Sequence, residues 1–167
     1  MIASTMRKGL IVAVLHVAIV GSLGAKLLID RATRPRVWAR AAPFDPNLPI
    51  RGRYVQLRLE ADAPDFPPGG DINWVPVALA ATGGRLTATR DPESTKVHVG
   101  VQHRAGATVA VLLEPVAYFI PEHVADPSIR QPGEELWVEV TIPRSGGPRP
   151  IRLGVKSHGV LTPLDVE

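Results

Sequence analysis

The sequence predicts an all-β domain, an antiparallel sandwich or small barrel of about seven or eight short strands, preceded by one N-terminal transmembrane helix. Residues 9–25 contain no charged side chain, whereas several later segments alternate apolar and polar positions. Clusters of glycine and proline separate these segments. Such alternation is the period of a half-buried strand, and short strands at regular spacing are typical of antiparallel sheets. A chain of 167 residues has room for one such domain after the N-terminal segment.

The basic residues are concentrated near the N-terminus. Of 19 lysines and arginines, seven lie in residues 1–40, which contain a single acidic residue, so residues 41–167 hold 12 basic and 15 acidic side chains. Because the basic excess flanks the apolar segment, it indicates membrane topology and lipid contact rather than a phosphate-binding face. Nucleic acid is therefore not an expected partner. The absence of cysteine excludes disulfides, thiolate metal sites and cysteine nucleophiles.

Residues 1–8 are a short basic N-terminus, and residues 9–29 are predicted to be a transmembrane anchor in contact with lipid. About 20 residues rising about 1.5 Å each match a hydrocarbon core of about 30 Å. A signal peptide is the alternative, but the apolar stretch exceeds a usual signal-peptide core and its small-residue sites are only fair matches to the A-x-A cleavage pattern. Small residues recur at helical spacing, which favours close approach of another membrane helix. These residues are Ala18, Gly21, Ser22 and Ala25.

Two signals for the orientation of this helix disagree. Five basic residues lie within residues 26–40, against Arg7 and Lys8 before the helix. The positive-inside rule then places the domain in the cytoplasm. The short basic N-terminus is instead typical of an export signal.

Residues 30–49 are predicted to be a linker, basic at first and then rich in proline, and residues 50–167 to be the β domain. The first clear strand covers residues 54–60. Its apolar face holds Val55, Leu57 and Leu59, and its outward face holds Tyr54, Gln56 and Arg58.

The segment Ile72–Thr82 is predicted to be a more buried strand, because it is apolar on both faces except at Asn73. Pro76 favours an edge or a bulge within it. The pair Gly83-Gly84 predicts a hairpin into residues 85–90. The remaining strands are predicted at residues 96–103, 108–115, 118–121, 136–142, 151–155 and 160–164, with one helical turn within residues 122–132.

The stretch of residues 50–59 resembles the opening motif of the bacterial GDYXXLXY family, which pairs an N-terminal membrane helix with a small domain. Gly52, Tyr54 and Leu57 match the motif, whereas Arg53 stands in place of its aspartate and Leu59 in place of its second tyrosine. Residues 118–122 are similar to a downstream segment of that family, and the order of parts agrees along nearly the whole chain.

The resemblance implies a single-pass protein of the bacterial inner or cytoplasmic membrane, with its domain outside the cytoplasm, that accompanies a multi-pass membrane protein. It implies no defined activity, so no catalytic residue is carried over. Arg53 adds a constraint, because a guanidinium replaces a carboxylate and is neither a general base nor a cation ligand. The motif is therefore expected to have a structural role.

A candidate interaction surface follows from the outward face of the first strand, because aromatic and arginine side chains are common anchors of protein interfaces. The alternative is that Tyr54 packs under a loop or a second sheet and its hydroxyl donates to a backbone carbonyl. The candidate surface comprises Tyr54, Gln56, Arg58, Tyr118 and Glu122.

The polar residues predict neither a metal site nor a cofactor. His98 and His103 are five residues apart, so a regular strand directs them to opposite sides. Two serine–lysine pairs invite comparison with hydrolases, but both fall at loops or strand ends where these residue types are ordinary. The pairs are Ser94 with Lys96 and Ser157 with Lys156. The leading hypothesis is a non-enzymatic accessory or interaction module for another membrane protein, and the alternative is an envelope hydrolase or ligand-binding enzyme.

Overall fold

The computed structural model describes residues 2–44, 54–67, 69, 71–104, 106–121, 123–124, 126–127 and 129–165. The chain divides into two compact units, Met1–Arg34 and Pro35–Glu167. The described elements are α1 (Ile2–Thr33), β1 (Arg36–Pro43), β2 (Tyr54–Asp62), β3 (Ile72–Thr82), β4 (Arg85–Arg90), β5 (His98–Arg104), β6 (Ala107–Leu112), β7 (Val116–Phe119), β8 (Glu134–Thr141), β9 (Arg149–Ser157) and β10 (Val160–Pro163).

The first unit is the helix α1. Its segment Arg7–Thr33 is long and apolar enough to cross a membrane, and none of its apolar window is buried within the protein. Such a helix suggests a membrane anchor. The small residues at positions 18, 21, 22 and 25 are all exposed, and the Ser22 hydroxyl donates to the Ile19 carbonyl at 2.8 Å. Their packing against another helix stays a prediction.

The second unit confirms the predicted all-β class. Six strands close a barrel in the order β1-β4-β3-β5-β6-β2, and β2 pairs back with β1. Neighbours are antiparallel except where β4 meets β1 and β2 through the single parallel pairs Trp38↔Arg85 and Asp62↔Thr87. The strands β8, β9 and β10 extend the sheet from β1, and β7 lies beside β2.

The first predicted strand, β2, has the expected two-residue alternation. Its burial alternates from Tyr54 to Asp62, with Leu57 and Leu59 fully buried in the core. Burying each leucine side chain contributes about 1.5–3 kcal/mol relative to leaving it exposed. Along one edge β2 pairs with β1, and along the other it pairs with β6 and β7.

The strand β1 lies inside the segment predicted to be a linker, so the division at residue 50 was wrong. Val37, Ala39 and Ala41 are buried in the core, and β1 pairs with β2, β4 and β8. This alternation is hard to detect in the sequence because two of the three inward residues are alanines, whose small side chains give a weak apolar signal. The second unit accordingly begins at Pro35.

The strand β3 is not the buried strand that its composition predicted. Only Val75 and Val77 are buried, and most of its other side chains are exposed. The bulge favoured by Pro76 is present, since the register with β5 shifts between Ile72 and Val75. Apolar composition was misleading because alanine supplies much of it. No helical turn occurs in the described part of residues 122–132.

A bend separates β6 from β7, although both follow the same edge of β2. Glu60 pairs with Val111 and Leu57 pairs with Val116, so two extra residues lie between the β6 and β7 pairings. The predicted strand at residues 108–115 therefore ends at Leu112, and the next strand starts earlier than predicted. In the order of the sheet β7 is the last strand.

Candidate functional site

The outward faces of β2 and β7 form one aromatic surface. Tyr54 lies opposite Phe119 in the antiparallel register, and their ring centroids are 6.0 Å apart at 56°. Phe119 is 75% exposed, which is high for a large aromatic side chain. Gln56 lies between this pair and Arg58 on the same face of β2. The residues that follow β1 extend the surface, because the Phe44 N–H donates to the Gln56 carbonyl at 2.9 Å.

Arg58 is held at this surface by an aromatic ring. Its guanidinium carbon lies 4.2 Å from the centroid of the Phe44 ring, within the range of a cation–π contact. Its Nε is buried and makes no hydrogen bond within the described part of the chain. We name the "β2–β7 face" as the surface of Phe44, Tyr54, Gln56, Arg58 and Phe119.

The structure separates the predicted surface residues. Tyr118 lies opposite Val55 and packs on the core, so it belongs to the inward face and its neighbour Phe119 takes the outward place. The sequence analysis missed Phe119 because the position at which β7 begins decides which of its alternating side chains face outward. Glu122 and the motif residues Gly52 and Arg53 lie outside the described residues. Of the remaining motif residues, Tyr54 is on the surface and Leu57 and Leu59 are in the core.

A second exposed aromatic side chain, Trp74, lies in the bulge of β3. Between Ile72 and Val75 the strand β3 has two residues opposite Gly100 alone, and Trp74 is one of the two. Its φ is 62°, in the left-handed region, where a residue with a Cβ costs about 1–2 kcal/mol. The side chain is nevertheless 69% exposed, so the core does not require it. Strained residues of this kind are found preferentially at functional positions.

The indole of Trp74 is stacked on the imidazole of His98. The two ring centroids are 4.6 Å apart and the planes differ by 23°. His98 also lines an open cleft of about 170 Å³, together with Lys96, Glu114 and Pro148. From the sequence, His98 was considered only as a metal ligand. The sole signal that Trp74 leaves the regular strand was the proline two residues later.

A cluster of charged and aromatic side chains covers the outward face of β8. Trp137 and Glu139 are both buried on this face, where β8 lies between β1 and β9. The Arg152 Nε donates to the Glu139 carboxylate at 2.7 Å, and its guanidinium lies 5.4 Å from the Trp38 ring. Further contacts join Arg40 to Glu60 and Glu135, Arg85 to Asp62, and Arg85 and Lys156 to Trp137.

Close packing of this cluster depends on Gly154. A Cβ at Gly154 would lie 2.8 Å from Trp38 Cζ3 and 3.1 Å from the Thr162 carbonyl oxygen. The four cations and four carboxylates of the cluster are also equal in number, so the cluster has no net charge. The arrangement therefore indicates a structural cluster that covers the outward face of β8 rather than a ligand-binding site.

The serine and lysine side chains that were considered as candidate pairs have other hydrogen-bond partners in the structure. Lys96 Nζ donates to the Ser145 hydroxyl at 2.5 Å, rather than to Ser94. Both side chains are exposed, without the apolar enclosure that a lysine general base requires. Ser157 instead contacts His158 at 3.0 Å. These contacts are ordinary surface hydrogen bonds.

The two histidines of β5 have separate partners. The Gly69 N–H donates to His103 Nε2 at 2.9 Å, whereas His98 lies against Trp74. Within the described residues, no group of three or more His, Cys, Asp or Glu side chains is arranged to hold a metal ion.

Comparison with known proteins adds no assignment to this geometry. No family model matches the chain, and neither a curated protein nor a solved structure is significantly similar to it.

Proposed function

We propose that the chain is a membrane-anchored interaction module that binds another membrane protein through the β2–β7 face. One observation carries this proposal: the exposed Phe119 ring is seated against Tyr54 on a terminal strand, in line with Gln56 and Arg58. Aromatic and arginine side chains dominate the energetics of protein interfaces. A ring that is 75% exposed has most of its apolar area still to bury.

The position of β7 adds a second mode of contact. Among the described strands β7 pairs only with β2 and is last in the order of the sheet, and it also lies close to β9. Partners frequently add an extended segment to the edge of such a strand, where main-chain hydrogen bonds give affinity and side-chain contacts give specificity. A segment of a partner added beside β7 would lie next to Phe119.

The setting of the module is also a proposal. The apolar helix supports a membrane anchor, and the resemblance to the GDYXXLXY family supports a bacterial inner or cytoplasmic membrane with the domain outside the cytoplasm. A multi-pass protein is then the expected partner. The test of orientation is alkaline phosphatase fused to the C-terminus, which is active only outside the cytoplasm, so an inactive fusion would contradict this orientation.

The proposal is tested by affinity capture of the tagged full-length protein from native membranes. Phe119→Ala is expected to reduce the recovered membrane protein by about tenfold or more, because losing an interface anchor costs about 2 kcal/mol or more and so lowers the affinity by about 30-fold or more. Ile129→Ala is the matched control, since Ile129 is equally exposed and lies outside the β2–β7 face. Equal recovery with both variants, or no co-purifying membrane protein with the wild type, would refute the proposal.

A second measurement locates the contact directly. A photoreactive amino acid at Gln56, on the outward face of β2, is expected to crosslink to the same membrane protein that the capture recovers. The same amino acid at position 129 is expected to give no such product. Crosslinking from position 129 but not from position 56 would move the contact away from the β2–β7 face.

A further inference from the structure

We propose that the membrane protein bound at the β2–β7 face presents a carboxylate, from an aspartate or a glutamate, to the guanidinium of Arg58. This inference rests on the proposed function and names the chemistry of the partner. The five residues of the β2–β7 face carry a single formal charge, the cation of Arg58. Because charges are complementary across protein interfaces, a lone cation on an aromatic face selects a partner with an anionic group.

The two carboxylates that follow Arg58 on the outward face of β2 are engaged by other cations. Glu60 lies 3.6 Å from a guanidinium nitrogen of Arg40. Asp62 accepts a hydrogen bond from Arg85 at 2.8 Å. Arg58 itself makes no ion pair within the described part of the chain. The outward face of β2 therefore has one cation whose counterion the domain does not supply.

The surroundings of Arg58 favour the addition of a carboxylate. Arg58 is half-buried, and its guanidinium carbon lies 4.2 Å from the centroid of the Phe44 ring. The ring has no net charge, so it compensates a partly desolvated cation less fully than a carboxylate does. Among the nitrogens of Arg58 only Nε is buried without an acceptor, so Nη1 and Nη2 are open to an incoming carboxylate. These two nitrogens can donate to both oxygens of one carboxylate.

The aromatic side chains of the face define what accompanies the carboxylate. Tyr54 and Arg58 are four residues apart in β2, which is about 13 Å at about 3.3 Å per residue. Phe119 lies opposite Tyr54 and is 75% exposed. The partner is therefore expected to carry an apolar side chain about 13 Å from its carboxylate, which is a spacing of about four residues in an extended segment.

A single carboxylate fits the charge of the domain better than a polyanion does. Residues 41–167 carry 15 acidic and 12 basic side chains. Nucleic acid and an anionic lipid surface each bring many negative charges, which this acidic excess repels. A carboxylate bordered by apolar side chains brings one negative charge to the one cation of the β2–β7 face.

The chemistry of the partner is read from a crosslinked peptide. The probe is p-benzoylphenylalanine at position 56 of the full-length protein in native membranes, and mass spectrometry identifies the peptide that it reaches. This peptide is expected to contain an aspartate or a glutamate within about four residues of the attachment point. A peptide without a carboxylate, a crosslink to a second copy of this chain, or adducts to lipid alone would overturn the proposal.

Charge exchange assigns the carboxylate to Arg58. Arg58→Glu is expected to lower the recovery of the captured membrane protein by about 30-fold or more, the scale of disrupting a buried charge pair in an interface. Replacing the identified carboxylate of the partner by lysine is expected to have a similar effect. Combining the two changes is expected to restore most of the recovery, which also shows that the Glu variant is folded. Unchanged recovery with Arg58→Glu, or no restoration by the combination, would overturn the proposal.

Arg90→Glu is the matched control for the change of charge. The guanidinium of Arg90 also lies near an aromatic ring, 5.4 Å from the centroid of Phe66, and Arg90 is outside the β2–β7 face. This variant is expected to recover the membrane protein as the wild type does. Equal losses with Arg58→Glu and Arg90→Glu would identify a general effect of net charge and would overturn the proposal.

The proposed function and this inference fail in different ways. If Phe119→Ala lowers the recovery and Arg58→Glu does not, the β2–β7 face is the interface and the carboxylate is refuted. If Phe119→Ala has no effect, or the wild type captures no membrane protein, the proposed function is refuted and the inference falls with it.

Discussion

The backbone strain at Trp74 predicts an unusual order of stability for two substitutions. Trp74→Gly and Trp74→Ala both remove the indole and its stack on His98, so these losses cancel when the two variants are compared. Alanine retains a Cβ at φ 62°, which costs about 1–2 kcal/mol, and glycine does not. Glycine loses more freedom on folding, which offsets about 0.4–1 kcal/mol of this difference. The Gly variant is therefore expected to be more stable than the Ala variant by about 0.5–1 kcal/mol.

The assay is urea unfolding of the full-length protein in detergent, followed by the fluorescence of the two remaining tryptophans. Because both variants lack Trp74, their signals are directly comparable. Ala78→Gly is the matched control, since Ala78 is exposed within the same strand β3 and pairs regularly with β4. There glycine is expected to destabilise the domain by about 0.5–1 kcal/mol. If Trp74→Ala were as stable as Trp74→Gly, or more stable, the argument from strain would be refuted.

Two further predictions concern the cluster of charged and aromatic side chains that covers β8, and both are measured by the same unfolding assay. Gly154→Ala is expected to destabilise the domain by about 1–3 kcal/mol, because the new Cβ overlaps the Trp38 ring. Gly147→Ala, which meets nothing within 4 Å, is the control, and equal effects of the two would contradict the packing argument. Arg152→Ala is expected to cost about 1–2 kcal/mol, between the values for exposed and buried ion pairs, because Glu139 is 8% exposed and Arg152 is half-exposed. A loss below about 0.3 kcal/mol would show that Glu139 is solvated without Arg152.

The fold class could be predicted because it is indicated by local patterns, each of which involves only residues close together in the sequence. The alternation of β2, the alternating apolar residues of β8 and the glycine turn after β3 are all local, and each element is present. The strand β1 escaped prediction because its inward side chains are mainly alanines, which give a weak apolar signal. The burial of β3 was overestimated for the converse reason, since its alanines count as apolar while they face solvent.

The candidate surfaces could be predicted only in part. The outward position of Tyr54, Gln56 and Arg58 follows from the two-residue period of β2. The exchange of Tyr118 for Phe119 does not, because it depends on two extra residues in the bend before β7. Pro76 indicated a bulge in β3, but it did not indicate that Trp74 would be the residue exposed by this bulge.

The sequence by itself determined an apolar N-terminal helix and a β domain, because chain-wide composition and the period of side chains are properties of adjacent residues. Only the tertiary structure decided that six strands close a barrel, that β8 is buried on both faces, and which aromatic rings are exposed. These outcomes depend on register between strands distant in the chain. A shift of one residue in that register reverses which face each side chain occupies.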